Sequence, residues 1–425
     1  MPSKKASRVA KTIFAVFITS VLVSVVAAQP AQARKFEVLH TFRGAPEDGA
    51  NPGGALVRDS AGSIYGTTGS GGRGKGLCVS FFVDGCGTAF KLDKGGRRIW
   101  QHSFQLREGI GPDAGLLRDK AGNLYGTTYS GGDTKCPVNQ YGCGTVFKLN
   151  ESGKEAVLHK FKGTPDGFFP DAPLVEDAEG NLYGTTEYGG SFNAYGAVFK
   201  VDKKGKETVL YSFTGGSDEC RPVGVIFGPG GYLYGVAQGI TCSGHGVVFR
   251  LDTAGSLTVL YTFGGSDGVY PDSVLLLDAD GNLYGETGEG GNSECGGTGC
   301  GVVFKLSPNG EETVLYAFCS LSNCVDGEGP GGGLVRDSAG NLYGITVFGG
   351  AYNDCNGDSC GVVFKLDAAG NEAVLHNFTG GADGAFPEAG LTMDGSGNLY
   401  GTAESGGDLN CEPSYGCGVV YKISF

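Results

Sequence analysis

Short apolar runs separated by polar, glycine-containing turns cover nearly the whole chain, and they return in one fixed order. Each unit opens with an apolar run ending in an acid, as in Gly54–Asp59, Ser273–Asp278 and Gly332–Asp337. A D-x-x-G-N turn, such as Asp119–Asn123 or Asp337–Asn341, leads into a second run, most often Asn-Leu-Tyr-Gly-Thr-Thr. The third run is of the Val-Phe-Lys-Leu type and carries Phe90, Phe147, Phe199, Phe249, Phe304, Phe364 and Tyr421. After another D-x-x-G turn comes the fourth, V-L-[HY]-x-F, at Val157–Phe161, Val209–Phe213 and Val374–Phe378. Alternating runs with a turn every ~8–12 residues predict antiparallel hairpins. No segment keeps the period of a helix.

The second-run tyrosines fall at 65, 125, 183, 234, 284, 343 and 400, a spacing of 50 to 60 residues that points to propeller blades or a solenoid. Apolar residues on both faces of the runs require a sheet covered on both sides, as when blades pack face to face around an axis. A β-helix would need shorter coils and parallel ladders. Phasing then predicts a ring. After its leader the chain opens on Phe36–Phe42, which matches a fourth run with no preceding three. It ends on Gly418–Phe425, which matches a third run with no following fourth. Pairing the two removes two exposed edges. The expected fold is all-β: a seven-bladed β-propeller of four-stranded antiparallel blades, closed by the N-terminal strand completing the C-terminal blade.

Composition sharpens this picture. Of 425 residues 80 are glycine, an excess explained by turns that need positive φ. Residues 1–33 read as a signal peptide: Lys4, Lys5, Arg8 and Lys11 precede the apolar run Ile13–Ala28, and Ala31-Gln32-Ala33 offers a cleavage site. An uncleaved anchor is the alternative, since the run is near the lower limit for a span. No later segment is long and apolar enough to cross a bilayer, and residues 34–425 form a single propeller domain. That domain holds 28 basic against 45 acidic residues, a formal −17, which disfavours nucleic acid and anionic surfaces as partners. Fourteen cysteines in an exported chain imply disulfides. Close neighbours pair as Cys78–Cys86, Cys136–Cys143, Cys295–Cys300, Cys319–Cys324, Cys355–Cys360 and Cys411–Cys417, leaving Cys220–Cys242 as a longer pair. Zinc is the competing reading, but the spacings are irregular and histidine is nearly absent from these segments.

The phrases Asp119–Thr128 and Gly144–Leu149 resemble the GloVer (Gloeobacter and Verrucomicrobium) tandem repeat of bacterial exported proteins. The resemblance covers nearly the whole mature chain and is weakest in the fourth unit, where Gly228-Pro-Gly-Gly231 replaces the acidic turn. The strand order is similar to that of NHL-type and streptogramin-lyase-like propellers. What the resemblance implies is export and a propeller-like repeat, with no activity attached. By analogy with such propellers, the first strand of each blade lines the central channel. The loops joining fourth to first and second to third strands then share one face, the natural binding surface.

Two features crowd that face. An acid stands four residues before a proline in every unit: Asp48, Glu108, Asp166, Asp218, Asp267, Asp326 and Asp383, before Pro52, Pro112, Pro170, Pro222, Pro271, Pro330 and Pro387. Read functionally they ring the channel mouth, with Asp48, Asp166, Asp267, Asp326 and Asp383 as Ca²⁺ ligands. Read structurally each caps N–H groups in its own turn, and seven equal copies suit a scaffold better than a single site. The second feature is the variable loop between second and third strands, which presents Phe81, Phe82, Tyr129, Tyr141, Tyr188, Tyr195, Phe348, Tyr352 and Tyr415. Such rings suit sugars or a protein partner, or else pack over neighbouring loops. Candidate catalytic groups are the loop carboxylates Glu187, Glu286, Glu289 and Glu404, and His245. The other histidines occupy one repeat position on the outermost strand, shared with Tyr211, Tyr261 and Tyr316. No P-loop, dinucleotide fingerprint, H-E-x-x-H or nucleophile elbow occurs in a supporting context. The first expectation is a monomeric, non-enzymatic extracellular or periplasmic binding module for a glycan or a protein. The alternatives are a hydrolase or lyase using the carboxylates, and a structural envelope component.

Overall fold

The computed structural model describes residues 34–425 except 75–77, 79–84, 139, 192–194, 241, 243, 354, 356–357 and 412–415. The proposed leader, residues 1–33, lies outside the described residues. Residues 34–425 form one compact unit, a seven-bladed propeller of four-stranded antiparallel sheets. Among the described residues no helix is long and apolar enough to cross a membrane. Blades are numbered here from the unit of Tyr65 to that of Tyr400.

Blade three shows why the repeat phrases fold as they do. Its strands are Val175–Glu176, Leu182–Thr186, Ala197–Val201 and Glu207–Ser212, paired in that order. In the turn after the first strand, Asp177 accepts Asn181 N–H at 2.8 Å and the Tyr183 hydroxyl at 2.8 Å. This explains the D-x-x-G-N-L-Y phrase. Gly184 lies opposite Phe199 in the register, and a Cβ there would sit 2.7 Å from the Phe199 ring. The small residue makes room for the aromatic of the third strand. The innermost strands are shorter than the sequence suggests, only two residues in blades one, two, three and seven. In blades four, five and six pairing reaches back to the loop proline, with Pro222 opposite Ala237, Pro271 opposite Thr287 and Pro330 opposite Thr346.

Aromatic rings join one blade to the next. The phenylalanine closing each outer strand meets the third-strand aromatic of the following blade edge to face: Phe42–Phe90, Phe104–Phe147, Phe161–Phe199, Phe213–Phe249, Phe263–Phe304, Phe318–Phe364 and Phe378–Tyr421, with centroids 4.9 to 5.4 Å apart. Nearly all these rings are fully buried. Such a pair contributes about 0.5–1.5 kcal/mol beyond its area.

The first of those pairs joins blade seven to blade one, because the strand before Phe42 belongs to blade seven. Lys35–Thr41 pairs antiparallel with Val419–Ser424, with Val38 opposite Tyr421, and supplies the fourth strand of blade seven. Phe42 N–H donates to Gly418 O at 3.0 Å, as Phe213 N–H donates to Gly196 O in blade three. Blade seven packs on blade one through a cluster holding Phe42, Leu56, Phe90, Tyr400 and Val420. The Thr392 hydroxyl donates to Leu56 O across the same seam, and Arg58 approaches Asp394 at 3.4 Å.

A second contact repeats at every seam. The glycine directly before each third strand has a left-handed backbone and faces the loop proline of the next blade. At Gly196 φ is +88° and a Cβ would lie 2.6 Å from Pro222 Cδ. Gly196→Ala is expected to lower stability by about 2–4 kcal/mol, the left-handed strain plus the clash. Gly231→Ala, also left-handed at +76° but with open space around it, should lose only about 1–2 kcal/mol. Urea denaturation of both variants checks this, and equal midpoints would show that the crowding at Gly196, from Thr186 O as well as Pro222, has no energetic weight.

Candidate functional site

The loops entering the axis are built alike. The residue before each loop proline (Asn51, Gly111, Phe169, Arg221, Tyr270, Gly329 and Phe386) has a left-handed backbone, with φ between 52° and 64°. For residues with side chains this costs about 1–2 kcal/mol each. Two backbone hydrogen bonds offset it. Phe169 N–H donates to Cys143 O at 3.0 Å, and its carbonyl accepts Glu187 N–H at 3.0 Å. The first bond crosses between blades, and its acceptors around the ring are Cys417, Cys86, Cys143, Tyr195, His245, Cys300 and Cys360. Five of these are disulfide-bonded, so the short bridges fix the carbonyls on which the next blade hangs. All seven disulfides have the partners that proximity in the sequence indicates, including Cys220–Cys242 and Cys319–Cys324.

The residue after each loop proline reaches the axis, where a cavity of about 1030 Å³ opens. Gly53, Val223 and Gly331 occupy this position in three blades, and Asp113, Asp171, Asp272 and Glu388 in the other four. Glu187, Gln238 and Glu404 join them from the ends of second strands. Arg221 is the one basic residue of the described lining. It pairs with the Glu187 carboxylate, which also accepts the Tyr129 hydroxyl at 3.0 Å. The Gln238 amide donates to Asp272.

Burial sets the protonation of this chamber. It pushes Asp113 and Asp272 up to about 6, with the Gln238 amide pulling Asp272 the other way. It pushes Asp171 up to about 8, with the charges of Asp113 and Asp272 adding to the rise. Glu388 goes to about 8 through burial and then through Glu404, its hydrogen-bonded neighbour, and burial raises Glu404 as well. At neutral pH the chamber therefore presents both carboxyl donors and carboxylate acceptors.

Aromatic residues stand around it on two sides. Tyr129 stacks on Phe169 at 4.5 Å and Tyr188 on Phe168 at 5.5 Å, with the Arg221 guanidinium 5.5 Å from the Tyr188 ring. Opposite, Phe386 lines the cavity and meets Phe348 at 5.8 Å, and Phe348 and Tyr352 are 39% and 45% exposed. Tyr195 is half-buried and packs between blades three and four, and Tyr141 is half-buried. Phe81, Phe82 and Tyr415 lie outside the described residues.

The candidate catalytic groups are divided by the structure. Glu187 and Glu404 reach the cavity, but Glu286 and Glu289 belong to the strand Leu283–Glu289 rather than to a loop. Glu286 is 1% exposed, and its Oε2 accepts Gly333 N–H at 3.0 Å in the wall between blades five and six. His245 is exposed and outside the lining. The carboxyls that sequence reasoning passed over are Asp113, Asp171, Asp272 and Glu388. Their signal was present: they directly follow the loop prolines at a position where other units carry glycine or valine.

The acids four residues before the prolines lie elsewhere than at the channel mouth. They sit at the outer ends of their loops and bind the outermost strand. His40, His159 and His376 contact Asp48, Asp166 and Asp383 at 3.0 to 3.3 Å, and Tyr211, Tyr261 and Tyr316 donate to Asp218, Asp267 and Asp326 at 2.5 to 2.8 Å. Backbone N–H groups complete each turn, as Lys162 N–H does on Asp166 at 2.9 Å. The start of the next blade's outer strand approaches the same acid. Arg98 pairs with Asp48 at 2.6 Å, but Glu155, Glu207, Glu312 and Glu372 face Glu108, Asp166, Asp267 and Asp326. Burial and then the facing acid push Glu155, Glu312 and Glu372 up to about 7, and Glu207 up to about 8. His159, Asp166 and Glu207 hold their ligand atoms within 4.8 Å of one another.

Residues 76–298 and 191–421 match the Gloeobacter/Verrucomicrobia repeat, and the chain belongs to that repeat family. No curated protein sequence matches it. Among solved structures it is similar to the extracellular domain of a proposed hybrid two component system from B. thetaiotaomicron, at 13% identity and a TM-score of 0.54, covering 91% of this chain and 40% of that one. The extracellular domain of a proposed one component system from the same organism gives 13% identity and 0.54, covering 92% and 42%. The chain thus spans about two fifths of the length of these proteins. A gluconolactonase from Xanthomonas campestris gives 16% identity and 0.41, covering 71% and 82%. The likeness is one of fold.

Proposed function

We propose that the protein is exported and binds a neutral or cationic glycan end-on in the axial cavity. The observation that carries this reading is a single cavity of about 1030 Å³ edged by six carboxyl groups and one guanidinium. Neutral carboxyls donate to ring and hydroxyl oxygens, carboxylates accept from hydroxyls, and flanking aromatic faces stack on sugar rings. The same acids repel phosphate and sulfate. Export rests on the seven disulfides, which persist in oxidising compartments, and on the leader-like residues 1–33.

Titration calorimetry of the mature protein against neutral, amino and sulfated oligosaccharides, with and without Ca²⁺, tests the reading. Neutral or amino sugars are expected to bind, and Asp171→Asn with Glu388→Gln to weaken them by about tenfold, each lost hydrogen bond from a neutral carboxyl being worth about 0.5–1.5 kcal/mol. A preference for sulfated sugars, or binding untouched by both substitutions, would overturn it. Hydrolysis is the second reading, favoured by the Glu388–Glu404 pair, in which a carboxyl protonated at neutral pH stands beside a second acid. Product release by the wild type that Glu388→Gln abolishes would establish it.

A further inference from the structure

Cys295–Cys300 and Cys319–Cys324 lie against each other at the seam of blades five and six. Cys295 Sγ is 3.6 Å from Cys319 Sγ, and all four sulfurs lie within 4.8 Å of one another. Each pair has four residues between its cysteines. The first bridge occupies the repeat position described above. The second stands in the loop leaving the outer strand, where other units carry Arg43, Gln105, Lys162, Thr214, Gly264 and Thr379. Among the described residues no other disulfides gather four sulfurs this way.

The surroundings suit a closed site. Cys300 and Cys319 are buried and cluster with Phe318, Val303 and Val362. The backbone holding the four residues is tied down: Gly329 N–H donates to Cys300 O at 2.9 Å, Gly327 and Gly350 N–H donate to Cys324 O at 2.9 Å, and Cys319 N–H donates to Gly327 O at 3.2 Å. A tetrahedral zinc tetrathiolate has Zn–S bonds of about 2.3 Å, which places its sulfurs roughly 3.8 Å apart. The four sulfurs here need only sub-ångström to ångström side-chain adjustment to reach that spacing once the S–S bonds are open.

We propose that in the reduced protein these four cysteines form a tetrathiolate site for Zn²⁺, so that the corner has two covalent states, a pair of disulfides or one bound metal. Two equivalents of a dithiol reductant open both S–S bonds, each taking two electrons and two protons while the reductant becomes a disulfide. Zinc then displaces four thiol protons. Neither state disturbs the carbonyls of Cys300 and Cys324 that join blades five and six, so the ring accepts either.

The test uses the whole mature protein reduced under argon, titrated with Co²⁺ and then Zn²⁺, with near-ultraviolet circular dichroism following the fold. The expected result is a visible absorption of tetrahedral cobalt thiolate that saturates at one metal per chain and is bleached by zinc. Cys319→Ser with Cys324→Ser should abolish it, and Cys355→Ser with Cys360→Ser should leave it intact. Missing bands in a folded chain, or equal bands in both double variants, overturn the site. If reduction alone unfolds the ring, zinc must restore the dichroism, and its failure to do so overturns the site equally.

Discussion

Raising the pH from about 5 to about 9 is expected to lower the melting temperature, because four outer seams press one carboxyl against another. Glu155, Glu207, Glu312 and Glu372 hold their protons to about pH 7 or 8 in the folded ring but lose them near pH 4.5 once unfolded. The native state therefore binds more protons throughout that interval. The stability these groups contribute is complete below pH 4.5 and is lost as the pH rises through 7 to 8. These side chains are half-exposed, and after solvent screening each contributes about 1 kcal/mol. The sum of about 4 kcal/mol corresponds to a fall on the order of 5 °C. At the acid end Asp166 and Asp383 work in the opposite sense. Burial alone would raise them, but the partner His159 or His376 outweighs it and holds each below the usual carboxylate range, so their stability is lost below about pH 4. Calorimetric scans across this range should thus peak between about pH 4 and 6. The fourfold glutamate-to-glutamine variant should make the alkaline limb shallower without abolishing it, because burial raises the cavity acids Asp113, Asp171, Asp272 and Glu388 in the same sense. A melting temperature that rises toward pH 9 would refute the account.

Removing residues 34–44 is expected to be the most damaging change short of unfolding the chain. It strips the outer strand from blade seven and exposes the edge Val419–Ser424, a row of unpaired donors and acceptors open to other chains. It also deletes Phe42, the ring that joins blade seven to Phe90 of blade one. Size-exclusion chromatography should show a larger or aggregated species. Phe42→Ala isolates the aromatic part and should cost about 3–5 kcal/mol, as for other buried phenylalanines. An unchanged melting profile for the deletion would mean that the propeller does not depend on pairing between Lys35–Thr41 and Val419–Ser424.

The fold was legible because its causes are local and repeated. Asp177 and Tyr183 meet within one hairpin, Gly184 faces Phe199 across one ladder, and each such relation recurs in other blades. The cavity was less legible. Asp171 acquires its role from a left-handed Phe169 two residues earlier, and a backbone in that region before a proline leaves no mark on composition or periodicity. The acidic turns misled in the opposite direction. Asp166 is conspicuous by repetition, but its partners His159 and Lys162 N–H lie on the outer strand and its following turn. Glu286 read as a loop acid because it replaces the threonine of its phrase, whereas the strand simply continues through it to Glu289.

The residue after each loop proline takes no part in the two backbone contacts that repeat at every seam. The left-handed residue two positions before it carries the cross-blade hydrogen bond, and the proline carries the contact to the preceding glycine. Gly53, Asp113, Asp171, Val223, Asp272, Gly331 and Glu388 are consequently free to differ while the ring stays the same. On the proposed reading, a recombined set of these seven axial residues grafted onto this scaffold should alter what is recognised without altering how the protein folds.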